Sequence, residues 1–337
     1  MPTYAGVNDY GDIGSRLGAH AEKVLLEHAE PVLVLNKLGD TKPMPRNKGQ
    51  NIKWRRPVPL PLATTPLVEG VTPAGTQFRY EDVEATLAEY GDWFPLTNKV
   101  VDLHEDSVGR DITMMAGEQA GLTIEALTWG VVRAGTNVSY ANGSARSAVN
   151  TTINLGMVRR AVRTLQANKA RRITTILDSS PRYNTVNVEA SFVAVAHTDM
   201  EANIRKLPGF KSVADYGSRK PIVPEELGSV ENVRFICSPE FHPFAGTGAT
   251  TLNGMLSEGG TNVDVYPVLV MGAHAYGVVA LKGFGAIKPK VRQPGKPDSN
   301  DPMGRNGSIA WNTWFAAKIL NDSWMVRLEC GAEANPT

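Results

Sequence analysis

The segment 36–79, NKLGDTKPMPRNKGQNIKWRRPVPLPLATTPLVEGVTPAGTQFR, constrains the fold of this chain more than any other. It runs for more than forty residues. Pro43, Pro45, Pro57, Pro59, Pro61, Pro66 and Pro73 exclude a regular helix through most of it. A loop this long inside a compact domain is uncommon, and is usually either functional or disordered. Its apolar content argues against disorder. Ile52, Trp54, Val58, Leu60, Leu62, Leu67, Val71 and Phe78 all favour being covered. If the rest of the chain does not cover them, a neighbouring chain must. Asn47-Lys48-Gly49 is a turn signal between extended flanks and predicts a hairpin there.

The chain has 337 residues, above the ~250–300 at which single cores stop growing. Two compact units plus an extended arm are expected. A formal net charge of +1 gives no global attraction to nucleic acid or an anionic membrane. It also gives little long-range self-repulsion, so association is permitted. Cys237 and Cys330 are the only cysteines, too few for a disulfide framework or a four-cysteine zinc site. They read as small buried hydrophobes in a reduced interior. The N-terminus lacks a basic-then-apolar signal pattern. No stretch approaches the ~20 apolar residues that span a bilayer. A chain made in the cytoplasm, with no membrane partner, is the expectation.

Apolar spacing predicts a helix over 13–30, ended by Pro31. Residues 83–96 read as one strand with a kink at Gly91. The strongest helix is 107–134, with Ser107 as N-cap, Asp111 in the first turn and Gly135 as stop. At 1.5 Å per residue it forms a rod on the order of 40 Å. A second helix is expected over 154–170 and a strand over 185–197, followed by a short helix over 199–207. Further strands are predicted at 232–237, 264–270 and 275–281, with a glycine-rich loop at 245–260. A polar linker, 288–307, leads to a closing hairpin with arms 308–320 and 324–329.

Few residues suggest catalysis. His197, Asp199 and Glu201 lie close enough in sequence to raise a metal-dependent hydrolase as the alternative reading. Thr198 followed by Glu201 instead fits a capping box at a helix start. The loop GTGATT at 246–251 lacks the lysine of a phosphate loop. His242 and His274 stand alone. The residues thus predict no enzyme, no cofactor and no metal.

Charge is more informative. Lys42, Arg46, Lys48, Lys53, Arg55 and Arg56 form a basic run around Trp54 with no acid among them. Glu81, Asp82, Glu84, Glu89, Asp92, Asp102, Glu105 and Asp106 follow as an acidic stretch. They are either two solvated faces or the two halves of a head-to-tail contact between copies. Such a contact is heterologous and closes into rings where the rotation allows. A single-stranded nucleic-acid groove would interleave aromatics with the cations, and Trp54 is the arm's only candidate.

Four stretches carry a resemblance: TVNVEASFVAVAHTDMEANIRKLPGFKSVADYGS (185–218), ELGSVENVRFICSPEF (226–241), VEATLAEYGDWFPLT (83–97) and ILNDSWMVRLECGA (319–332). With the order of elements, they resemble the major capsid proteins of tailed bacteriophages with the Hong Kong 97 fold, and more narrowly the coat-protein family typified by coliphage N-four. The resemblance implies an α+β fold. It comprises an N-arm (1–35), an extended E-loop (36–82), a peripheral domain (83–184) with its spine helix at 107–134, an axial domain (185–290) and return strands (291–337). It implies self-assembly into hexamers and pentamers of an icosahedral head in the virion. The partners would be a scaffolding protein, a portal protein, a decoration protein and double-stranded DNA held without sequence specificity. The fifteen charged and aromatic residues just named, from Lys42 to Asp106, become candidates for contacts between subunits.

Overall fold

The computed structural model describes residues 33–43, 49–66, 69–70, 72, 75–103, 108–177, 185–217, 220–279, 287–295 and 301–335. At its centre, successive residues of one strand serve two different cores. Along Thr185–Ala196, Phe192, Ala194 and Ala196 face one cluster of buried side chains, while Val193 and Val195 face the other. Tyr266–Met271 alternates likewise, with Val268 and Val270 on the first side and Leu269 and Met271 on the second. A strand covered on both faces reads as a continuous apolar run, which is how VLVM and FVAVA appear in the sequence.

In chain order the arm and first layer comprise helix α1 (Leu35–Leu38), strands β1 (Asp40–Lys42), β2 (Asn51–Pro57), β3 (Tyr80–Thr86) and β4 (Ala88–Thr97), and helices α2 (Asn98–Leu103) and α3 (Val108–Val132). Strand β5 (Val138–Tyr140), helix α4 (Leu155–Ala167), strands β6 (Ile173–Leu177) and β7 (Thr185–Ala196), helix α5 (Glu201–Arg205) and strands β8 (Phe210–Ser212), β9 (Glu226–Val230) and β10 (Val233–Cys237) follow. The chain closes with β11 (Tyr266–Met271), β12 (Tyr276–Val279), β13 (Lys288–Arg292), β14 (Asn306–Phe315), β15 (Ala317–Ile319) and β16 (Met325–Cys330).

The largest sheet has eight strands in the order β5-β16-β11-β7-β10-β9-β8, with β6 paired to β7. Helix α4 covers one face through Met157, Val158, Ala161 and Leu165. Its start is fixed by Asn154, whose side chain accepts the Met157 N–H at 2.9 Å. The spine helix α3 serves the other core. Ala116, Ala120, Ile124, Trp129 and Val132 pack there with Leu33, Val34, Leu35, Ile52 and Leu87 from the arm base, and with Trp311 and Phe315 of β14. A second sheet, β13-β14-β4, flanks α3.

Several expectations need correction. The strand expected over 83–96 is two strands, broken at buried Leu87, whose N–H donates to the Gln50 carbonyl at 2.8 Å. Gly91 makes no break. It lies inside β4, where a Cβ would come within 2.4 Å of the Trp311 carbonyl oxygen. The partner of β2 is β3, not a flank of the Asn47-Lys48-Gly49 turn; Asn47 and Lys48 lie outside the described residues. The closing hairpin does not exist: β14 pairs with β13 and β4, β15 with β12, and β16 with β11 and β5. The 288–307 linker begins as strand β13, and β9 was not anticipated. At the start of the 199–207 helix the cap is His197, whose Nδ1 accepts the Asp199 N–H at 3.1 Å, rather than a Thr198–Glu201 box. The predicted helix over 13–30, and Ser107, lie outside the described residues.

Candidate assembly interface

Strands β2 and β3 form a separate two-stranded ribbon. Their register sets Lys53 opposite Glu84, Arg55 opposite Asp82 and Arg56 opposite Glu81. Arg55 forks onto Asp82 at 2.7 and 3.0 Å. Arg56 reaches Glu81 at 2.7 Å, and Lys53 pairs with Glu84. The guanidinium of Arg55 holds the Asp82 carboxyl below its ordinary range. Six of the candidates for subunit contacts thus pair with one another across their own hairpin. Lys42 donates to the Lys53 carbonyl. Glu89 accepts from Asn312, and Asp92 accepts from Gln119 at 2.7 Å. Asp102 is exposed on α2. Arg46, Lys48, Glu105 and Asp106 lie outside the described residues.

The apolar side chains of the arm divide into two sets. Ile52 is buried, and half-buried Trp54 packs on the chain's own β12. Only glycine fits at 277, where a Cβ would lie 2.6 Å from the Trp54 ring. Trp54 therefore rests on its own subunit, with part of its ring left exposed. Further out, Leu60, Leu62, Phe78 and Tyr80 are 56%, 83%, 55% and 56% exposed. Phe78 and Tyr80 meet edge to face at 4.8 Å. Elsewhere, Trp93 on β4 and Met115 and Leu122 on the spine helix are also exposed. Solvated charge below and bare hydrocarbon at the tip leave this arm with apolar area that its own domain does not cover.

Two buried polar joints fix the arm and the spine, and the sequence reading found neither. Glu125 of α3 is fully buried. Its Oε1 accepts the N–H groups of Val34 at 3.3 Å and Leu35 at 2.8 Å, while Tyr276 Oη donates to the Leu35 carbonyl at 2.5 Å. Burial pushes the Glu125 carboxyl up to about 8. At the other end of the spine, Arg327 donates to the carbonyls of Arg133 and Gly135. Its Nε also reaches buried Glu329 at 2.8 Å, and Arg146 forks onto Glu329 with two 2.7 Å bonds. Arg146 stacks on Phe244 at 3.6 Å. The only sequence sign of Glu125 was an acid four residues after Gly121, among the small residues that bring backbones close.

The hydrolase alternative finds no geometry. His197 caps the turn that follows it, Asp199 accepts from Tyr266 Oη at 2.7 Å, and Glu201 pairs with Arg205 four residues on. Burial lowers the pKa of His197 and raises that of Cys237 to about 12. Among the described residues no three His, Cys, Asp or Glu side chains converge to hold a metal. No helix among them is long and apolar enough to cross a membrane.

The long spine helix, the two-stranded ribbon and the sheet buried on both faces match the Hong Kong 97-type fold. The capsid of Ralstonia phage GP4 superposes with a TM-score of 0.63 at 14% identity, over 86% of each chain. The capsid of Cyanophage Pam1 gives 0.57 at 14% identity over 91% of this chain and 93% of that one. The capsid of Cyanophage P-SCSP1u gives 0.57 at 10% identity over 89% and 88%. Residues 80–328 match the family model described as phage capsid protein, so this chain belongs to the phage capsid protein family. It is a structural protein of the phage head, located in the virion shell, and not a hydrolase. No curated protein matches it significantly.

Proposed function

We propose that the chain is the repeating head subunit, forming hexamers and pentamers by laying its arm tip over the adjacent copy. One observation carries this reading: the ribbon neutralises its charges internally yet leaves Leu60, Leu62, Phe78 and Tyr80 exposed. Exposed apolar side chains gathered on one segment mark an interaction site. Exposed Trp93, Met115 and Leu122 offer apolar area on the neighbouring copy. In this reading the tip contributes affinity through burial. The candidates Lys42, Lys53, Arg55, Arg56, Glu81, Asp82 and Glu84 stiffen the arm, and Glu89, Asp92 and Asp102 rim the receiving surface.

The layout expected from the sequence fits the same scheme, with an N-arm at 1–35, an E-loop at 36–82, a peripheral domain at 83–184, an axial domain at 185–290 and return strands at 291–337. A shell of this kind encloses double-stranded DNA and is built with scaffolding and portal proteins, with decoration proteins outside. Sedimentation tests the arm directly. Leu60→Asp with Leu62→Asp leaves a folded subunit that no longer enters large particles, and unchanged particle formation would overturn the clamp.

A further inference from the structure

An open cavity of about 340 Å³ lies between the base of the arm, strand β6 and the turn after β11. Its wall includes Lys37, Asp40, Arg171, Arg172, Thr174 and His274. Cations outnumber carboxylates here. Asp40 is the one acid on the wall, and both its oxygens lie 2.7 Å from His274 Nδ1. Lys37, Arg171 and Arg172 have no ion-pair partner among the described residues.

The backbone that presents these groups is fixed. The Ala273 N–H donates to the Arg171 carbonyl at 2.8 Å. A Cβ at Gly272 would come within 2.7 Å of that same oxygen. His274 adopts φ 62°, a left-handed conformation that is strained for a non-glycine residue. Strain of this kind persists only where surrounding structure enforces it. A concave wall with an excess of one sign of charge focuses its potential into the cavity and draws counter-ions there. Guanidinium forks match phosphate oxygens in both spacing and charge.

We propose that this cavity is a phosphate site, in which Arg171, Arg172 and Lys37 hold a phosphate group that is either free inorganic phosphate or part of a polynucleotide backbone. Thr174 supplies a neutral hydroxyl, and the Asp40–His274 pair closes the wall.

Thermal melts of the full chain test this, with and without inorganic phosphate at constant ionic strength. Phosphate raises the midpoint of the unaltered chain by linkage. Arg171→Gln with Arg172→Gln abolishes the rise. Arg160→Gln with Arg163→Gln, on the exposed face of α4, retains it. A second arm measures binding of a short DNA duplex. If the 171/172 variant weakens duplex binding about tenfold while the 160/163 variant does not, the phosphate comes from a polynucleotide. If duplex binding is unchanged while the phosphate response is lost, the ligand is free phosphate. An equal phosphate response in all three proteins, or none in the unaltered chain, overturns the proposal. If the unaltered chain shows no response and the 171/172 variant fails to assemble, the wall docks an acidic segment of a second copy instead, and the phosphate site is equally overturned.

Discussion

Glu125 of the spine helix accepts the backbone N–H of Leu35 at 2.8 Å, across ninety residues of sequence. The bond ties the base of the arm to the rod that organises the outer layer. Its other oxygen is buried without a partner among the described residues. A charged carboxylate is costly in such a place, so the joint favours the protonated acid.

That preference has a sign. Burial raises the folded-state pKa of Glu125 from 4.5 to about 8, so the folded chain holds this proton more tightly than the unfolded chain. The stability it supplies is complete below about pH 4.5 and is lost as pH rises toward 8, at up to ~1.4 kcal/mol per pH unit. Glu125→Gln keeps the shape without the charge and flattens this slope. Urea unfolding between pH 5 and pH 8 checks it, and parallel slopes for the two proteins would contradict the assignment.

The charged groups at the far end of the spine behave differently from those on the arm. Glu329 is fully buried between Arg327 and Arg146. Glu329→Gln strands two guanidinium groups and costs about 3–5 kcal/mol. Asp82→Asn on the exposed ribbon breaks an equally short contact in solvent, and leaves the unfolding midpoint within error. Denaturant titration of both variants decides whether burial, rather than contact length, sets the strength.

Close packing at the arm base makes a third prediction. Gly277→Ala places a methyl where the Trp54 ring sits, and overpacking of this kind costs about 1–3 kcal/mol. Amides of β1 and β2 then exchange faster, while those of the spine helix do not. Uniform acceleration across the chain would show that the ribbon base is not a separate unit.

The sequence shows most of this architecture where one period rules. The spine helix, expected over 107–134, is observed over Val108–Val132, and strand 185–197 over Thr185–Ala196. The α+β capsid fold and the family followed from those stretches and the motifs beside them. Pairing was less legible. Residues 308–320 and 324–329 look like two arms of a hairpin, but which strand each joins depends on contacts far away in sequence. The pairing of the charges was illegible for a similar reason. A basic run followed by an acidic run looks the same whether the charges meet across one ribbon or between two copies, and only the β2–β3 register distinguishes them. The seat of Trp54 was illegible because nothing local marks Gly277 as its neighbour. Glu125 stayed hidden because a buried acid breaks the amphipathic pattern used to find a core.

The arm tip remains the centre of the account. The most direct measurement is electron microscopy of the full chain beside a variant in which residues 59–78 are replaced by a short glycine-serine linker joining β2 to β3, which spares Ile52 and Trp54. Under conditions where the full chain forms closed shells, the variant is expected to remain a small folded species with unchanged circular dichroism. Closed shells of the same size from the variant would contradict the claim that the exposed tip joins one subunit to the next.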